Sequence, residues 1–155
     1  MRRLAPLVLV ALSLVACGSA NDHKTPVACL GGPGSFAAAL QGAPGHVTLS
    51  DGTPISGCIV KNQSVGDLAN VGVTLVKVGT VLNARARANP NGSATVQLGF
   101  LIGAVAHGAS KTGGIHAELV RRLDAAARYS PDGRGLPAAF RHQYEKGYAA
   151  GQDHG

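Results

Sequence analysis

Residues 98–106, Leu-Gly-Phe-Leu-Ile-Gly-Ala-Val-Ala, are apolar without interruption, and this run constrains the fold more than any other part of the chain. Wound as a helix it is apolar on nearly every side, so other elements must enclose it. Extended back to Ala94 it takes in Thr95 and Gln97, and it still falls short of the roughly 20 residues that span a bilayer. Gly99 and Gly103 lie four apart and leave one helical face open to a neighbouring backbone. Close approach suits this chain, because with 4% aromatic residues and no Trp the core has to be built from Ala, Val, Leu and Gly. The sequence therefore predicts a central helix that opens at Ser93 as N-cap and closes near Gly108.

Three further helices are predicted around it. Before it, Leu68, Val71, Leu75, Val78 and Leu82 recur at spacings of three and four, which marks one helical face. Val73, Val76 and Val81 are expected to widen that stripe. Asp67 at the start and Arg85 and Arg87 near the end complement the helix dipole, and Pro90 with Asn91-Gly92 ends the helix. After the central helix, Lys111-Thr112-Gly113-Gly114 reads as a connector. A third helix then presents Ile115, Leu119, Leu123 and Ala126, with Val120 and Ala127 beside them. Glu118 to Arg122 and Asp124 to Arg128 are acid-before-base pairs four apart, and Pro131-Asp132-Gly133 breaks the helix. The last helix starts at Pro137 and runs toward Ala150, with Gly151 as its stop. Its Phe140, Tyr144 and Tyr148 form an aromatic stripe. This stripe is expected either to dock on the bundle or to serve as a stacking platform for sugar or peptide.

Residues 27–65 are rich in Gly and Pro. Ser35 is expected to cap a short helical piece over residues 36–40 that stops at Gly42. His46-Val47-Thr48-Leu49 and Ile55-Ser56-Gly57-Cys58-Ile59-Val60 flank Ser50-Asp51-Gly52-Thr53. Asp-Gly between two β-prone runs predicts a hairpin.

The N-terminus is of a different kind. Arg2 and Arg3 precede an apolar core that runs to about Val15, as in an export leader. The residues at its end, Leu14-Val15-Ala16-Cys17, resemble the lipobox of bacterial lipoproteins. That resemblance implies cleavage before Cys17, acylation of its sulfur and a membrane-anchored, extracytoplasmic protein. Gly18-Ser19-Ala20 also suits an ordinary leader cut after Ala20. Lipidation of Cys17 would leave Cys29 and Cys58 as a pair. Outside the reducing cytoplasm these would close a disulfide worth roughly 3 to 4 kcal/mol in the chain-entropy model. The organisation implied is a leader over residues 1–16, a flexible tether over 17–26 and one domain over 27–151. Within that domain, 27–65 is a disulfide-closed lobe and 66–151 is helical. The expected fold is thus mainly α, a small antiparallel bundle of three to four helices with an N-terminal lobe containing a short hairpin.

Loss of Arg2 and Arg3 with the leader takes the formal charge from +6 to +4. The excess sits in the helical part, as a solvated mixed-sign surface or as a weakly basic face toward anionic lipid or cell-wall polymer. No basic run or aromatic-basic motif points to nucleic acid. The expected partners are the membrane, through lipid on Cys17, and an envelope protein or polymer. Six histidines are present, but none has the paired helical spacing of a zinc hydrolase. Gly-x-Ser-x-Gly and the Ser-x-x-Lys set are absent, and Gly31-Gly32-Pro33-Gly34-Ser35 lacks the Lys of a phosphate loop. No cofactor or metal is predicted. A non-catalytic binding or scaffolding module is the reading these features favour. The alternative is an exported enzyme acting on a cell-wall or small-molecule substrate, with acid-base groups drawn from His107, His116, Glu118 or Asp124. A third reading is a ligand-binding module built on Phe140, Tyr144 and Tyr148.

Overall fold

A computed structural model describes residues 24–128 and 135–155. The leader, Cys17, His23 and the Pro131-Asp132-Gly133 break lie outside these residues. Within them the chain forms five α-helices: α1 (Pro33–Ala39), α2 (Val65–Ala88), α3 (Ser93–Ser110), α4 (Ala117–Ala126) and α5 (Ala138–His154). Short 3-10 turns at Val27–Leu30, Leu40–Gly42 and Ile55–Cys58 accompany them. The mainly helical class predicted from the sequence holds.

The apolar run lies on α3, which packs on α2, α4 and α5 and buries Leu98, Phe100, Leu101, Ala104 and Val105 completely. Its N-cap is Gly92, one residue before the predicted Ser93. The tightest packing is against α5. A Cβ built on Gly99 would collide with the carbonyl oxygen of Tyr144 and come within 2.9 Å of the Tyr148 amide nitrogen; one on Gly103 would collide with the Tyr148 carbonyl. The fit is reciprocal. A Cβ on Gly147 would collide with the Val96 carbonyl and one on Gly151 with that of Phe100. The two backbones therefore meet directly, glycine faces inward from both sides, as in small-residue helix pairs. Gly151, expected as the helix stop, is instead an interior residue of this seam, and α5 continues to His154.

Helix α2 starts at Ser64, whose Oγ accepts from the Asp67 amide at 3.1 Å, a side-chain N-cap. Val71, Leu75, Val78 and Leu82 face the core, as their spacing predicted, while Leu68 at the start of the stripe is only half-buried. Val73 and Val81 do not widen that face; they are 52% and 50% exposed. By length and composition alone α2 is apolar enough to cross a membrane, but here its inner face is taken up by α1, α3 and α4. Gly79 lets α4 approach: a Cβ there would lie 2.8 Å from Leu123 Cδ1. Asn83 then holds the end of α4, its Nδ2 donating to the carbonyls of Ala126 at 3.0 Å and Arg128 at 3.1 Å. Ile115, predicted on the buried side of this third helix, precedes α4 and is half exposed. His116 is the buried residue there.

The N-terminal lobe departs from its predicted hairpin. Asp51-Gly52 does turn, with Gly52 at φ +84° and Leu49 N bonded to Thr53 O at 2.8 Å. Yet only an isolated bridge, Thr48 to Pro54, pairs the two arms, and no strand forms among the described residues. Pro54 has no amide hydrogen for a ladder. Beyond it, Ile55 and Cys58 are both fully buried. Three apart, they share a face in a 3-10 turn but would point to opposite faces of a strand. Cys58 is disulfide-bonded to Cys29. The fold also begins before Val27, since Thr25 is 8% exposed and its Oγ1 accepts from Gln63 Nε2 at 2.9 Å.

Candidate functional site

Helix α1 lies across α2 and leaves a half-open groove of about 500 Å3 between them. Pro33 at N1 fixes the start of α1, and Phe36, with Leu40 just past the helix end, buries its inner side. Pro33 and Ala37 are then left to form one wall of the groove. The opposite wall includes Val76 and Val81, two α2 valines beside the core stripe. Lys77 and Arg85 stand along the same wall; they fall on the row that passes through Val81, since residues four apart are neighbours on a helix. No carboxylate lines the groove, and neither cation has an ion-pair partner among the described residues. Gln97 of α3 reaches the floor. It is 8% exposed, and its amide has no hydrogen-bond partner among the described residues.

Mostly apolar walls, a few polar groups and a volume of this size are features that small-molecule sites share. Sequence reasoning missed it. The signal was the apolar arc of α2, wider than one packing neighbour needs, together with Gln97 inside an otherwise apolar helix.

A second cleft of similar size collects Lys24, Lys61 and Lys111 near the start of the described chain. Beneath it lies a buried polar cluster. His116 Nε2 is 3.0 Å from Gln63 Oε1 and its Nδ1 2.9 Å from Thr112 Oγ1. Gln63 donates its amide hydrogens to Thr25 Oγ1 and Cys58 O, so its carbonyl oxygen accepts from His116. That leaves Nδ1 as the acceptor in the neutral ring. The Thr112 hydroxyl is 2.8 Å from Ala109 O as well, and it has one proton for the two. Burial pushes the His116 pKa below its ordinary value.

The residues considered for acid-base chemistry do not meet. Among the described residues no three His, Cys, Asp or Glu side chains come together as a metal site. Glu118 is engaged by Arg121 through two bonds of 2.8 Å and by Arg122 at 3.3 Å. The hydrogen bond from Arg121 holds its carboxyl below the usual range. His107 ends α3, where its carbonyl accepts from Ser110 Oγ. Desolvation raises the Asp124 carboxyl, and no ion pair joins it to Arg128 among the described residues. Phe140, Tyr144 and Tyr148 stack successively along α5, with centroids 5.7 and 6.1 Å apart. Phe140 is buried and the two tyrosines are half-buried. Burial, and then the charge of Asp124, raise the Tyr144 phenol well above its ordinary pKa. Cys29 and Cys58 are joined, as their pairing required, while Cys17 lies outside the described residues. No protein-family model matches the chain, and no curated protein or solved structure matches it.

Proposed function

We propose that the chain is an envelope lipoprotein: a non-catalytic binding module, held at a membrane by acyl groups on Cys17, with its ligand site in the groove between α1 and α2. Cysteine pairing carries this reading. The Cys29–Cys58 disulfide suits an oxidising, extracytoplasmic compartment. It also leaves Cys17, in its Leu-Val-Ala-Cys setting, as the one cysteine outside that bond. An exported chain with an odd cysteine calls for a use for it, and lipidation is that use. One acyl chain binds a membrane only marginally, so a stable anchor needs two or more.

The binding role is supported by the groove, whose walls, volume and unpartnered amide suit a small ligand. Palmitate labelling of the expressed full-length chain tests the anchor. Label is expected in the native chain and absent from Cys17→Ala; label that persists in the variant contradicts the assignment.

A further inference from the structure

We infer that the groove between α1 and α2 takes a single-chain anionic amphiphile, its apolar chain against Val76, Val81 and Ala37 and its anionic head at Arg85. This rests on the reading of the chain as a binding module and names the class of ligand. Three observations converge. The walls are aliphatic, from both helices, and Val81 is half exposed although it is a large apolar residue on a helix with a well-filled core face. The charge at the groove is of one sign: Lys77 and Arg85 line it, no carboxylate does, and no ion pair engages either cation among the described residues. An Arg fork is the side chain best matched to a carboxylate or phosphate oxygen pair. Finally, Gln97 is more than nine-tenths buried and lines the groove without a hydrogen-bond partner among the described residues. Its amide can donate to or accept from a polar atom of a ligand seated there.

The test uses the chain from Gly18 to Gly155, which lacks only the leader and Cys17, whose own acyl groups would compete. All of its hydrophobic core lies between Cys29 and Phe140, so it keeps the fold, and circular dichroism verifies the helix content. Calorimetric titration compares dodecyl phosphate below its micelle concentration with dodecanol and with inorganic phosphate. Dodecyl phosphate is expected to bind at least about tenfold more tightly than either, the scale of one charge-assisted hydrogen bond. Arg85→Gln is expected to remove the preference over dodecanol, and Val81→Asp to abolish binding with the helix content unchanged. Gln97→Leu is expected to weaken binding. Equal affinity for dodecyl phosphate and dodecanol would overturn the anionic assignment and leave the binding module standing. No binding of any probe would overturn both. Binding that survives Val81→Asp, or is unaffected by Gln97→Leu, would place the site elsewhere.

Discussion

Gly147 of α5 lies directly on the backbone of Val96 in α3: any side chain on it would occupy the space of the Val96 carbonyl and come within 2.9 Å of the Phe100 amide. Neither helix can withdraw from this contact without opening a core that has few large side chains to refill it. Gly147→Ala is therefore expected to lower stability by about 1 to 3 kcal/mol or more, the range for overpacking. Gly66→Ala is the control. Gly66 lies in α2 with nothing within 4 Å of its would-be Cβ, and Ala there is expected to raise stability by about 0.4 to 1 kcal/mol. Urea unfolding midpoints of the two variants check both signs.

Half of this seam was legible in the sequence. Gly99 and Gly103 stand out inside an apolar run, where a glycine has no reason of its own. Gly147 and Gly151 sit among Tyr, Glu, Lys and Gln, where a glycine reads as a helix end. Only the packing partner distinguishes a stop from a contact. The same holds for the lobe. Asp51-Gly52 marked the turn correctly, but burial of Ile55 and Cys58 on one side overrode the strand tendency of the run after Pro54. The groove was only partly legible for a related reason: Val76 and Val81 flank the core stripe of α2, and which α2 valines are covered depends on where α1 crosses.

His116 joins three separate parts of the chain: the α3–α4 connector through Thr112, the loop before α2 through Gln63 and, through Gln63, the first described residues at Thr25. Its folded pKa lies below the ordinary value of 6.5. Above that value both folded and unfolded states hold the ring neutral. As pH falls below it, the unfolded chain takes up the proton first, so stability drops until the folded-state pKa is passed. Chemical denaturation at pH 7.5 and 5.5 is expected to show this loss in the native chain and a smaller one in His116→Gln. Equal slopes would remove His116 from the account of pH dependence.

Asn83 supplies two donors to the carbonyl end of α4 from a different helix. Asn83→Ala leaves those carbonyls without their donor, at an expected cost of about 1 to 3 kcal/mol. Because the bonds lie at the α4 terminus, hydrogen exchange is expected to rise first in α4 and only later in α3.

Reduction of Cys29–Cys58 frees a loop with a sequence separation of 29. The expected loss is roughly 3 to 4 kcal/mol in the chain-entropy model, read as a shift in the urea midpoint with and without reductant. A Cys29→Ala, Cys58→Ala double variant is expected to match the reduced native chain.

The anchor itself is tested most directly by the mass of the N-terminal peptide of the chain recovered from intact envelopes. The expected result is a peptide that begins at Cys17 and carries a diacylglyceryl group. A peptide that begins at Asn21 without lipid would mean that the leader is cut after Ala20, and would contradict the membrane-anchored reading.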